Sequence, residues 1–277
     1  MSSDIKKISC SFCDFDQLEE IIDFGEMALA GGFLTKDNIS SEIKYPMRLG
    51  YCKNCFSVQI METIDPDILF KDYFYFSSSI NTLKDHFSKY AEEVYTKFLG
   101  PSSKVLEFGC NDGVFLKPMA NYELEKVIGV DPAENVISTI QDKRIHTICD
   151  YFNESVAESV LDKFGSIDLI VSNNAYAHIE DIQGTTRAVK KALKKDGVFS
   201  FEVHYLGEVI ENLQYDMIYH EHIYYYSLIS AIEHFKRYDM IVFDIKPISI
   251  HGGSYRFYVC NEGARHSMSE SPKVFAL

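Results

Sequence analysis

The sequence predicts an α/β protein, a doubly wound and mostly parallel sheet preceded by a small metal-stabilised ribbon. Three observations predict it. From Lys104 onward, apolar strand-like runs alternate with amphipathic helical ones. The first of these runs ends in a glycine-bearing turn, Val105-Leu-Glu-Phe-Gly-Cys-Asn-Asp-Gly113. Ahead of it stand two C-x-x-C pairs, Cys10-Ser-Phe-Cys13 and Cys52-Lys-Asn-Cys55.

Composition narrows the classes of function. At 277 residues the chain has room for one large domain and a small one. A net charge of −14 with no cluster of Lys or Arg argues against nucleic acid, while leaving room for a local pocket for a small phosphorylated ligand. Met1 to Ile8 is polar, so no signal peptide is expected. No stretch approaches the roughly 20 apolar residues of a membrane helix. Seven cysteines, four of them in two close pairs, suit metal or redox use in a reducing compartment. The expectation is a cytoplasmic monomer with no membrane partner.

Residues 1–70 contain short β-like pieces and turns, such as Tyr45-Pro-Met-Arg-Leu-Gly-Tyr-Cys52. So short a segment cannot be held by apolar burial alone, which is the usual reason a small module recruits zinc. Cys10, Cys13, Cys52 and Cys55 supply four thiolates for a tetrahedral site and leave no open position, so a structural zinc is expected. A thioredoxin-type redox pair is the alternative, but it needs one pair only, at a strand–helix junction. Cys110, Cys149 and Cys260 fall on strands or their ends and are expected to be buried.

Residues 71–101 read as a helical connector. Ile80, Leu83, Phe87, Tyr90, Ala91, Tyr95 and Phe98 recur at spacings of three and four, predicting a helix over 79–99 ended by Gly100-Pro101. Within 102–262, strands are predicted near 104–108, 126–130, 145–149, 167–172 and 198–203. Helices lie between them near 113–121, 134–142, 153–164 and 182–195. A helix near 228–237 then precedes strands near 240–246 and 254–260, the last after a Gly252-Gly253 turn. Residues 263–277 read as the start of a truncated C-terminal region.

Glu107-x-Gly109-x-x-x-Gly113 follows an apolar strand and opens a helix, whose N-terminus favours negative charge. A dinucleotide fold prefers G-x-G-x-x-G, which is absent. E-x-G-x-x-x-G resembles instead the loop of S-adenosylmethionine (SAM) methyltransferases. Seven strands whose last two are joined without a long helix likewise resemble the Rossmann-like sheet of class I SAM methyltransferases. Glu107, Gly109, Asn111 and Gly113 are then the candidate cofactor loop. Asp131 is placed for both ribose hydroxyls, Asp150 for the adenine amino group and Asn173 for the methionine end. Singly, each acid reads equally as a solvated strand-end residue; four such features in order point to SAM.

The densest chemistry is Asp216-Met-Ile-Tyr-His-Glu-His-Ile-Tyr-Tyr-Tyr-Ser227. In an extended chain His220 and His222 share one face, and Tyr219 and Glu221 the other. An aromatic strand leading into the helix after Ser227, with partly exposed histidines, is the plain structural reading. The chemical reading is proton abstraction beside SAM, because histidine titrates near neutrality and a tyrosine or histidine donor can stabilise an enolate oxygen. Zinc ligation by His220 and His222 is a lesser alternative, with no third ligand nearby.

Here a family resemblance becomes specific. The chain resembles the sugar C-methyltransferases that act on nucleotide-linked 4-keto deoxysugars. The matching stretches are the two cysteine pairs, Met27–Leu34, Tyr73–Ser79, the SAM loop, Asn173–Asp181, Tyr219–His222 and His251–Arg256. The resemblance implies that His222 takes the proton alpha to the keto group. Tyr219, Glu221 and His178 would orient the sugar or stabilise the enolate, and Tyr75 would reach in from the N-terminal segment. His178 reads equally as a structural histidine, and Tyr75 as a core aromatic. The Tyr73–Ser79 segment is expected to lie over the sugar, opposite the SAM loop. Members of that family carry a further C-terminal domain, where this chain stops at Val274–Leu277. Two rival functions stay open: O-methylation of a sugar or other small molecule, and a non-catalytic SAM- and zinc-binding assembly protein.

Overall fold

The computed structural model describes residues 9–31, 34–71 and 73–268. Gly32 and Phe33 of the Met27–Leu34 stretch, and 269–277 of the C-terminal region, lie outside them.

The N-terminal unit begins with a hairpin of β1 (Glu19–Ala28) and β2 (Lys44–Tyr51), followed by β3 (Val58–Ile60) and one helical turn, α1 (Pro66–Phe70). The connector helix α2 (Asn81–Phe98) buries Leu83, Phe87, Tyr90, Ala91 and Val94. Ile80, expected on that face, caps the helix instead and is 37% exposed.

The first five strands of the large domain are β4 (Lys104–Phe108), β5 (Lys126–Val130), β6 (Ile145–Ile148), β7 (Ile167–Asn173) and β8 (Leu193–His204). Helices α3 (Leu116–Met119), α4 (Glu134–Ile137), α5 (Glu154–Phe164) and α6 (Ile182–Ala192) connect them. After α7 (Leu206–Glu211) come a two-residue strand β9 (Tyr224–Tyr225) and α8 (Leu228–Lys236), then β10 (Met240–Ile248) and β11 (Ser254–Asn261). The seven-stranded sheet runs β10-β11-β8-β7-β4-β5-β6, with β11 antiparallel to both neighbours. All seven strands predicted for this domain are present.

Three expectations need correction. The helices near 113–121 and 134–142 shrink to single turns. Pro118 has no N–H to continue the first, and Thr139 and Gln141 side chains take the Val136 and Ser138 carbonyls after the second. The helix near 182–195 stops at Ala192 because β8 begins at once with Leu193. Cys149 is exposed, unlike Cys110 and Cys260, because it follows β6 at the sheet's edge.

Buried charge pins α2 to the sheet. Arg256 on β11, 2% exposed, stacks 3.3 Å from the Tyr90 ring centroid and donates to Glu202 on β8 at 2.7 Å. The same guanidinium reaches Glu93 of α2 at 3.0 Å, and His86 Nε2 lies 2.8 Å from Glu202. With the His86 hydrogen bond and the Arg256 guanidinium beside it, Glu202 is held below the usual carboxylate range despite full burial.

The two units share structure. The N-terminal sheet runs β1-β2-β3-β9, so its fourth strand comes from the large domain. Phe12, between the first two cysteines, is 1% exposed and packs on Tyr224, Tyr226 and His234 at centroid distances of 5.0, 5.5 and 4.6 Å. The ribbon is wedged into the main core.

Candidate active site and metal centre

The two cysteine pairs fold into matched knuckles. In each, the first cysteine's carbonyl accepts the N–H of the residue after the second cysteine, Asp14 or Phe56, at 2.8 Å. Those two residues take φ of +57° and +63°, which closes the turn. The sulfurs of Cys10, Cys13, Cys52 and Cys55 lie within 4.8 Å of one another and are buried. Cys10 and Cys55 approach to 3.4 Å, and Cys13 and Cys52 to 3.6 Å. Four sulfurs so close, with burial and then the Cys10 thiol raising the Cys52 thiol to about 11, fit a dication that stabilises thiolates. This is a closed zinc-binding site.

Away from the knuckle cysteines, a cavity of about 530 Å³ opens at the carboxyl ends of the parallel strands. On its cofactor side, Gly109 takes φ +66°, and a Cβ there would meet Ala175 Cβ at 2.3 Å. Asn111, at φ +50°, donates its backbone N–H to Asp131 Oδ2 at 2.8 Å. Ala133 N–H reaches Asp131 Oδ1 at 3.0 Å. These two donors fix the carboxylate and leave its other lone pairs toward the cavity. Asn173 donates to Glu107 Oε1 at 2.7 Å. Glu107 Oε2 and Asn173 Oδ1 remain buried acceptors without a protein partner. Burial pushes the Glu107 carboxyl well up, an arrangement an ammonium group would relieve. Asp150 is exposed at the rim. Gly113, by contrast, packs toward Ile140 and does not line the cavity. The residues present therefore fit SAM, with orphaned acceptors for its amino group and an anchored acid for its ribose.

The Asn111 side chain does something else. Its Nδ2 donates to the Tyr75 carbonyl and its Oδ1 accepts from Ser77 N–H, both at 2.9 Å. Asp112 accepts from Ser78 N–H at 3.3 Å. The Tyr73–Ser79 segment is thus clasped onto the cofactor loop rather than placed opposite it. An Asn-Asp pair at a left-handed turn offers side-chain groups to neighbouring backbone, which is the physical reason. Tyr75 lines the cavity and is 38% exposed.

Tyr219–His222 is a turn, not an extended strand: His222 N–H donates to the Tyr219 carbonyl at 3.0 Å. The expected pairing of faces is therefore replaced. His222 Nδ1 faces the Met217 carbonyl at 2.8 Å and must carry the proton, leaving Nε2 as an acceptor. The Tyr219 hydroxyl donates to that Nε2 at 2.7 Å. His220 points away, its Nε2 lying 3.3 Å from the Pro46 carbonyl of β2, so the two histidines do not share a ligand position. Glu221 lies outside the cavity lining, 3.4 Å from the Tyr73 hydroxyl, and burial raises it to about 7.

Around His222 stand three more histidines that line the cavity. His178 lies 4.9 Å away between ring centroids and His204 4.4 Å, while His251 is 6.1 Å from His204. Burial first, then the neighbouring imidazoles, push His178, His204 and His222 down to about 3. They are neutral bases and donors at physiological pH. Sequence reasoning does not single out His204, and it meets His251 only as the start of the His251–Arg256 stretch, with no role assigned. The available signal was position: His204 ends a parallel strand, and His251 precedes two glycines whose left-handed turn presents it.

Comparison with known proteins agrees with this geometry. Residues 82–243 match the methyltransferase domain family, and residues 10–70 match a zinc binding domain family. The chain is 31% identical over 261 residues to the C-methyltransferase NovU of Streptomyces niveus, covering 94% of this chain and 62% of that protein. A ubiquinone biosynthesis O-methyltransferase of Bartonella quintana is 31% identical over 100 residues, covering 34% of this chain and 38% of its own length. Among solved structures, magnesium protoporphyrin IX methyltransferase from Synechocystis aligns with a TM-score of 0.50 at 11% identity. It covers 64% of this chain and 83% of its own, and shows the fold alone. The domain match spans more than half of the sequence, and the chain therefore belongs to the methyltransferase domain family, with a zinc-binding domain ahead of it.

Proposed function

We propose that the chain transfers a methyl group from SAM to carbon of a keto sugar carried on a nucleotide, with His222 as the base. One observation carries the reading. A histidine whose Nδ1–H is locked on a backbone carbonyl presents its Nε2 lone pair, through Tyr219, to the same cavity as the cofactor loop. SAM supplies an electrophilic methyl on sulfur. His222 Nε2 takes the proton from the carbon beside the carbonyl, and the C–H pair becomes the carbon–carbon double bond of an enolate. Tyr219 turns from His222 to the substrate oxygen as that proton arrives. The enolate carbon then bonds to the methyl while the sulfur–carbon pair returns to sulfur, and the proton on His222 leaves to solvent. Asp131 and Asp150 hold the nucleoside of SAM, Glu107 and Asn173 its amino group. Tyr75 and His178 shape the sugar side.

Among the described residues, no Lys or Arg lines the cavity, whereas Glu107, Asp131, Asp150, Glu180 and Asp181 do. A diphosphate inside would meet acids without a cation. In this reading only the uncharged sugar ring enters and the nucleotide stays outside. NovU, of which this chain spans 62%, is the relative whose printed activity agrees with transfer to carbon.

The Tyr219 hydroxyl seated on His222 Nε2 also favours a second reading, in which the base deprotonates a substrate hydroxyl for O-methylation. Exchange separates the two. Incubated with nucleotide 4-keto deoxysugars in deuterated water, the protein should exchange the proton alpha to the carbonyl, and with labelled SAM it should methylate that carbon. His222→Ala should lower both rates by about 10² or more while leaving SAM affinity nearly unchanged. Methylation on oxygen without exchange would establish the second reading.

A further inference from the structure

We propose that His204 is a further catalytic residue, donating its Nε2–H to the substrate carbonyl oxygen as negative charge gathers there. The inference rests on the keto-sugar reading and adds to it a second donor, beside Tyr219, for the oxygen that gathers the charge.

His204 closes β8, next to the strand end that carries Asn173, and so stands at the carboxyl edge where cofactor and substrate meet. It is 7% exposed, it lines the cavity, and its Nε2 is buried with no hydrogen-bond partner. Of the four cavity histidines, it alone among the described residues has such a nitrogen. His222 has both ring nitrogens engaged, with Met217 and Tyr219. The His178 ring stacks on Phe70 at 5.8 Å. A buried polar nitrogen is seldom left unmatched unless a ligand completes it.

The geometry also suits the electronics. His204 lies 4.4 Å from His222 between centroids, so a sugar whose acidic carbon faces His222 can set the neighbouring oxygen toward His204. Its ring is kept neutral by burial, then by His222 and His251. A neutral imidazole donates a hydrogen bond without itself giving up a proton to water. As His222 removes the carbon-bound proton, the carbonyl π pair moves onto oxygen and is met by the His204 N–H. No proton need transfer to complete the step. His251, held at φ +49° before Gly252 and Gly253 at +77° and +116°, backs the ring at 6.1 Å.

Two substitutions of similar size separate the donor from its bulk. His204→Gln places an amide N–H near the Nε2 position, whereas His204→Asn places it near Nδ1. Alpha-proton exchange and methyl transfer would be measured with a nucleotide 4-keto deoxysugar, alongside SAM affinity and thermal stability. The expected result is a loss of about 10²–10³ in kcat and exchange for the Asn variant, with the Gln variant within about tenfold of wild type and SAM affinity unchanged in both. Equal rates for the two variants overturn the donor role while leaving the keto-sugar reading standing. A wild-type protein that binds SAM but neither exchanges nor methylates any keto sugar overturns that reading, and the donor role with it.

Discussion

At the scale of single residues, the site is a set of groups whose charge states are set by burial. His178, His204 and His222 are held near 3, far below the ordinary imidazole value of about 6.5, so between those values the unfolded chain binds protons that the folded one refuses. Stability from these groups is full above about pH 6.5 and falls as pH drops toward 3. Glu221, raised to about 7, works in the opposite sense and loses stability as pH rises from about 4.5 to 7. His178→Asn should therefore flatten the pH dependence of urea unfolding between about pH 6.5 and 4. An unaltered slope would show that His178 titrates normally. Tyr219, His222 and Asp131 were legible as candidates, Asp131 from its place at a strand end and the other two from a dense run of titratable side chains, and all three line the cavity. The sequence did not display the turn at Tyr219–His222, which arises from one local hydrogen bond, nor His204, whose proposed role rests on an unpartnered nitrogen that only packing reveals.

At the scale of elements, the cofactor loop works by close approach. Gly109 sits where a Cβ would fall 2.3 Å from Ala175 Cβ, and its φ of +66° strains any side chain. Gly109→Ala should cost about 1–3 kcal/mol of stability and weaken SAM binding, read by thermal unfolding with and without SAM. Unchanged melting and affinity would mean the loop has slack that the packing does not show. The strands were legible because buried parallel strands are short apolar runs bounded by turns. The short helices α3 and α4 were not, since their ends are set by Pro118 and by side chains that compete for carbonyls. The clasp between Asn111, Asp112 and Tyr75–Ser78 was equally invisible. It joins residues more than 30 positions apart through backbone atoms that carry no sequence signature.

At the scale of the molecule, the zinc ribbon and the Tyr219–His222 turn are one mechanical unit. Three residues after Cys55 begins β3, which pairs with β9, and Ile60 N–H donates to the Ile223 carbonyl at 2.8 Å. His220 grips β2 on the other side of the same turn. Stripping the metal with a chelator, or replacing Cys52 by Ser, should therefore lower the melting temperature and reduce proton exchange at the sugar, although none of the four knuckle cysteines lines the cavity. Metal-free protein with full exchange activity would show that the ribbon holds itself without zinc. The arrangement also matters during synthesis. The four knuckle cysteines are made well before Tyr224, so the knuckles can close early, but only β2 of the two partners of β3 is then present and β9 follows much later. Until then the nascent ribbon presents a bare strand edge, and the emergence of β9 both caps that edge and fixes the Tyr219–His222 turn beside it.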